Sequence, residues 1–83
     1  MRTMIAHENG AMLLEEKGNL LELHHCLTDN DCTLEISLFE INLTNGAGME
    51  DLDFVLTNCC KMDDKNKKKV TDFAERVLAK WQN

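Results

Sequence analysis

The chain has 83 residues with four cysteines, no proline and no tyrosine, and 15 acidic against 9 basic side chains give it a formal net charge of −6. This length has room for one small domain, residues 1–83, with a thin core, which excludes a large enzyme with a deep substrate cleft. The hydrophobic content of 43% is typical of a globular domain and too high for a disordered chain.

Charge is distributed unevenly along the chain. Residues 1–60 contain eleven acids and two bases, a net charge of −9, whereas residues 61–83 have a net charge of +3. A dipolar surface of this kind favours oriented docking on a charged partner. The alternative is that the charges only keep a small domain in solution.

The longest apolar run covers residues 11–14. It is much shorter than a membrane span or the core of a signal peptide. The sequence therefore predicts a cytoplasmic protein without a membrane partner, in which the cysteines are reduced.

The first half of the chain is typical of β-strands joined by short turns. The turn signals are Asn9-Gly10, Lys17-Gly18 and Asp29-Asn30. They predict a four-stranded antiparallel meander with strands at about 2–8, 11–16, 19–28 and 31–43. An alternative is a short helix over 11–17 with Gly18 as its cap.

The three turns agree on one register and on one inner face. They set Ile5 opposite Leu14, Leu14 opposite Leu21, and Leu23 opposite Ile36. The predicted inner face consists of Ile5, His7, Met12, Leu14, Leu21, Leu23, His25, Leu34, Ile36 and Leu38.

The fourth predicted strand is longer than its neighbours, and its apolar alternation changes phase. Leu34, Ile36 and Leu38 give way to an odd-numbered set that starts at Phe39, which predicts a β-bulge near Leu38 and Phe39. The segment 39–43 then has few partners within the chain, so it is a candidate edge for pairing with a second copy in a homodimer. The alternative is a bend that covers the helices.

The second half of the chain is typical of helices. Apolar residues recur at helical spacing over 49–59 and again over 65–81, where they form one stripe. A sheet with one apolar face can bury that face against the apolar stripes of two amphipathic helices, which gives a two-layer sandwich. The predicted fold class is therefore α+β, with the order ββββαα and both helices on one face of the sheet.

His24, His25, Cys26, Cys32 and Cys59 are the residues that could form a metal or redox centre. A structural zinc site needs four such ligands, usually with two cysteines from one tight turn. The five residues between Cys26 and Cys32 do not fit that spacing. We therefore predict no metal and no cofactor, and keep a metal- or redox-sensing protein as an alternative.

Signals for other chemistry are weak. No nucleophile, oxyanion loop or glycine-rich phosphate loop accompanies the histidines, so we predict that the protein is not an enzyme. The four lysines within 65–69 have no interleaved aromatic residues, and the chain is acidic overall. Nucleic acid is therefore an improbable partner.

The pattern favours a small acidic protein-binding module that acts stoichiometrically on a protein with a basic surface, as an inhibitor, immunity protein or anti-defence factor of a phage or mobile element does. A structural homodimer subunit is an alternative. Phe39 is the predicted anchor, unless it turns inward at the bulge and packs under the helices. The predicted partner-binding residues are Leu13, Leu20, Glu22, Asp29, Asp31, Glu35, Phe39 and Glu40.

Overall fold

The computed structural model describes residues 1–8, 10–26 and 35–82, without the side chains of residues 7 and 35–38. It contains one antiparallel sheet followed by two helices, which confirms the predicted α+β fold. The strands lie in the order β1-β2-β3-β4. The elements are β1 (Arg2–His7), β2 (Gly10–Lys17), β3 (Leu20–Cys26), β4 (Glu35–Asn42), a 3₁₀ turn (Met49–Asp51), α1 (Leu52–Asn58) and α2 (Asp64–Gln82).

The register of the first three strands differs by two residues from the predicted one. Ile5 lies opposite Met12 instead of Leu14, and Leu14 lies opposite Leu23 instead of Leu21. The second turn is centred on Gly18-Asn19, because Gly18 has the left-handed φ of 57° that its first position requires. Since side chains alternate with a period of two, this shift keeps the described side chains of β1, β2 and β3 on their predicted faces.

The predicted bulge is present in β4. Leu23 of β3 lies opposite Phe39, but the next residue, His24, lies opposite Ser37, so Leu38 is the extra residue. The predicted pairing of Leu23 with Ile36 is therefore wrong, because Ile36 lies opposite His25. The third turn signal, Asp29-Asn30, lies outside the described residues.

The core lies between the inner face of the sheet and the two helices. Asp63 caps the N-terminus of α2, where its Oδ1 accepts a hydrogen bond of 2.8 Å from the backbone N–H of Asn66. The buried stripe of α2 then packs on the sheet, as its spacing predicts. The fully or almost fully buried residues include Met12, Leu14, Leu21, Leu23, Ile41, Leu43, Leu52, Leu56, Val70, Phe73, Ala74 and Val77.

The two edges of the described sheet, β1 and β4, are not equivalent. The segment 39–42 pairs with β3, so the prediction that it has few partners within the chain is wrong. On the outer side of β4, the Asn42 N–H donates to Ala47 O at 2.9 Å, and the Gly46 N–H donates to Asn42 O at 2.7 Å. The turn after β4 thus closes this edge at Asn42, which disfavours the predicted homodimer through 39–43.

Within the described residues, neither helix has the length and apolar content needed to cross a bilayer.

Candidate functional site

A row of three carboxylates crosses the outer face of the sheet. Glu15 on β2 lies directly opposite Glu22 on β3, and Glu22 lies directly opposite Glu40 on β4. All three alternate with buried inner-face residues, so their side chains project away from the helices. We call Glu15, Glu22 and Glu40 the acidic row. The sequence indicated Glu22 and Glu40 as binding residues but not Glu15, which is recognised only once the register is known.

Like charges directly opposite each other destabilise a sheet, and the acidic row contains two such pairs. Carboxylate oxygens of Glu15 and Glu22 lie within 4.8 Å of each other. The Lys17 Nζ lies 3.6 Å from Glu15 and 3.8 Å from Glu22, and the Arg2 Nε lies 3.9 Å from Glu15. These basic side chains are more than 60% exposed, so each ion pair contributes at most about 1 kcal/mol.

Glu40 is the least neutralised member of the row. It is exposed, and it forms no ion pair within the part of the chain that the structure describes. The half of the row between Glu22 and Glu40 therefore retains more uncompensated negative charge than the half that Lys17 and Arg2 cover.

His24 adjoins the row and is almost completely buried, with 9% of its surface exposed. Its Nε2 lies 3.1 Å from Glu22 Oε1, within hydrogen-bond distance. On β4, His24 lies opposite Ser37, and Glu35 lies opposite Cys26. Glu15, Glu22 and His24 have donor atoms of the types that bind a divalent cation. The Lys17 ammonium already lies beside both carboxylates.

The described members of the metal or redox set indicated by the sequence do not form one centre. His24 and His25 are consecutive in β3 and therefore point to opposite faces of the sheet. Cys26 is disulfide-bonded, so the prediction of a reduced thiol is wrong at this position. Cys59 follows α1 in the helical layer, and Cys32 lies outside the described residues.

Cys59 and Cys60 are free and differ in reactivity. Cys59 is exposed, whereas Cys60 is buried, and burial raises the pKa of the Cys60 thiol to about 11. We expect iodoacetamide at neutral pH to label Cys59 and to spare Cys60, since only the thiolate reacts. Peptide mass spectrometry of the labelled folded protein tests this. Equal labelling of both residues before unfolding would contradict the placement of Cys60 in the core.

Two of the predicted apolar contact residues are buried at least in part. Phe39 turns to the inner face and packs against the core, which is the alternative that the sequence left open. Leu13 is on the outer face but only 4% exposed, and it forms a small second cluster with Ala11 and Cys26. The continuous apolar run over 11–14 could have indicated that Leu13 is buried, because such runs occur in strands with both faces buried.

The structure describes only some of the remaining predicted partner-binding residues. Leu20 is half-buried beside Lys17 and Asn42. The backbone of Glu35 pairs with Cys26, but its side chain is not described. Asp29 and Asp31 lie outside the described residues.

Two of the four lysines at 65–69 form ion pairs within the described part of the protein. Lys67 Nζ donates to Asp53 at 3.2 Å and to Thr57 at 3.0 Å, which links α2 to α1, and the hydrogen bond to Asp53 raises the pKa of Lys67. Lys68 pairs with Asp72 at 3.0 Å. These contacts weaken the case for a phosphate-binding patch.

Comparisons with protein-family models, with curated proteins and with solved structures find no match to this chain.

Proposed function

We propose that the protein is a stoichiometric protein-binding module that binds a partner with a basic surface through the acidic row. Inhibition of the partner, as by an immunity or anti-defence protein, is the activity that this mode of binding fits best. The observation that supports the proposal is the placement of Glu22 directly between Glu15 and Glu40. Each adjacent pair costs about 0.2 to 1 kcal/mol relative to neutral residues.

A basic partner would relieve this repulsion. A lysine or arginine that lies between Glu22 and Glu40 gains attraction from both carboxylates, and the guanidinium fork of arginine suits two acceptors better than an ammonium does. The row lies on three paired strands whose backbones are already ordered, so little backbone entropy is lost on binding. The same charge repels nucleic-acid phosphates, which favours a protein partner.

The test uses capture of a partner from the native host on immobilised protein, followed by affinity measurement with the purified partner. In the variant Glu22→Lys/Glu40→Lys, we expect slower association, weaker dependence of association on salt, and an affinity reduced by about tenfold or more. The matched control is Glu50→Lys/Asp51→Lys, which makes the same change in net charge at exposed positions beside α1. Equal losses from the two double variants would contradict binding through the acidic row.

Glu22→Gln provides a second readout that needs no partner. Neutralising the central carboxylate removes both like-charge pairs and the exposed ion pair with Lys17, while the amide can still form a hydrogen bond with His24 Nε2. We therefore expect the free energy of unfolding to rise by about 0.5 kcal/mol while partner affinity falls. A denaturant titration at low salt measures the first quantity. A loss of stability in this variant would mean that the row stabilises the sheet and would remove the observation that supports the proposal.

A further inference from the structure

Three metal-binding side chains, those of Glu15, Glu22 and His24, lie together on the outer face of the sheet. Glu22 lies directly opposite Glu15, and His24 is two residues further along β3 on the same face. One donor atom from each side chain lies within 4.8 Å of the other two. The Glu22 Oε1 and His24 Nε2 atoms are 3.1 Å apart. We call these three residues the Glu-His cluster.

The separations in the Glu-His cluster are close to those of ligands on one metal ion. Zinc binds carboxylate oxygens and imidazole nitrogens at about 2.0 to 2.2 Å, so two ligands of a tetrahedral site are about 3.4 Å apart. Glu22 and His24 meet this spacing. Both strands have paired backbones, so rotation of the Glu15 side chain is enough to bring its carboxylate into the set.

The Glu-His cluster differs from a group of freely solvated acids. The side chains of Glu15 and Glu22 are only 27% and 22% exposed, and His24 is almost completely buried. Partial burial strengthens the repulsion between the two facing carboxylates, and one divalent cation neutralises both charges. A set of one imidazole and two carboxylates suits Zn²⁺ better than Mg²⁺ or Ca²⁺, which prefer oxygen ligands alone.

Lys17 shows that this position attracts a cation, but it is held loosely there. Its Nζ lies 3.6 Å from Glu15 Oε1 and 3.8 Å from Glu22 Oε1, and both distances exceed the length of a hydrogen bond, about 3.2 Å. The Lys17 side chain is 62% exposed, so it can move into solvent when a divalent cation binds. Lys17 therefore competes with a metal ion for both carboxylates without blocking access to them.

We propose that the Glu-His cluster is a binding site for Zn²⁺, with Glu15, Glu22 and His24 as protein ligands and water at the remaining position. An ionised carboxylate only accepts hydrogen bonds, so His24 Nε2 donates to Glu22 when no metal is bound. Coordination through Nε2 uses the tautomer that carries its hydrogen on Nδ1. The site is independent of the proposed partner, because its ligands include Glu15 and His24 but not Glu40.

This ligand set shares only His24 with the metal or redox set that the sequence indicated. It contains no cysteine, and it depends on the pairing of Glu15 with Glu22 across the hairpin. The sequence could not indicate the set, because the predicted register places these two glutamates diagonally.

Isothermal titration calorimetry with Zn²⁺ on the purified protein, without a His tag, tests the site. Every sample carries Cys59→Ser, so that this exposed thiol supplies no ligand. We expect one Zn²⁺ per chain. Glu15→Gln, Glu22→Gln and His24→Gln should each weaken binding by about tenfold or more, because loss of even a group that only orients a ligand costs about 10- to 100-fold. Lys17→Met should strengthen binding by about threefold to tenfold, since it removes the competing ammonium.

Glu40→Gln and His25→Gln are the matched controls. Glu40 belongs to the acidic row but not to the Glu-His cluster, and His25 points to the opposite face of the sheet. Each should change zinc affinity by less than about twofold. Circular dichroism checks that every variant folds, and if His24→Gln unfolds, the variants of Glu15 and Lys17 decide the outcome.

Three results would overturn the proposal. The first is the absence of saturable zinc binding. The second is a loss in Glu40→Gln as large as that in Glu15→Gln, which would indicate general attraction to acidic side chains. The third is zinc binding that Lys17→Met leaves unchanged or weakens. Because the experiment uses the isolated protein, none of these results bears on binding of the proposed partner.

Discussion

Gly10→Ala is expected to lower the free energy of unfolding by about 3 to 5 kcal/mol, enough to unfold much of a small domain. Gly10 has a φ of 129°, which side-chain-bearing residues rarely adopt. A Cβ at this position would also overlap the backbone carbonyl oxygen of Cys26. That oxygen belongs to the neighbouring strand, so it cannot move without displacing β3 from β2. Chemical denaturation followed by circular dichroism measures the effect.

Gly18→Ala is the matched control for this prediction. Gly18 also has a positive φ, 57°, but an added Cβ there meets no atom within 4 Å. The substitution should therefore cost only the left-handed backbone strain, about 1 kcal/mol. Similar losses from the two variants would show that backbone strain alone accounts for Gly10 and that β2 and β3 are not in the close contact described.

The turns and the apolar alternation were sufficient to predict the order of elements and the face on which the described side chains of β1, β2 and β3 lie. They were insufficient for the register. Hairpins centred on Lys17-Gly18 and on Gly18-Asn19 bury the same side chains, so hydrophobic pattern does not distinguish them. The left-handed conformation of Gly18 decides between them. In the first hairpin, Gly10 lies inside β2, opposite His7, and not in the turn as predicted. A glycine is needed there because the backbone of Cys26 comes too close for a side chain.

The candidate site was harder to predict than the fold for a related reason. A row across a sheet depends on which residues lie opposite each other, so Glu15 joins Glu22 only in the observed register. The predicted register would have placed the two residues diagonally. Phe39 shows a different difficulty. The change of apolar phase indicated the bulge, and Phe39 was chosen as an anchor because it lies at that bulge. The bulge itself, however, turns the Phe39 side chain into the core.

Leu23→Ala is expected to cost about 2 to 5 kcal/mol, because Leu23 is fully buried and the variant leaves a cavity between the sheet and the helices. Phe39→Ala should cost about 2 to 4 kcal/mol, since Phe39 is only partly buried against the same core. The two residues lie opposite each other on the inner face. In a double-mutant cycle their losses should therefore depart from additivity by about 1 kcal/mol.

The same cycle with Ile36→Ala distinguishes the observed register from the predicted one, in which Leu23 lies opposite Ile36. In the bulged sheet Ile36 lies opposite His25, one diagonal step from Leu23, so its coupling to Leu23 should be smaller than that of Phe39. In the predicted register, continued along β4 without a bulge, Leu23 and Ile36 would be direct neighbours and the order of the two couplings would be reversed. Stronger coupling of Leu23 to Ile36 would therefore place Phe39 on the outer face beside the acidic row, and it would restore Phe39 as an aromatic anchor for the partner.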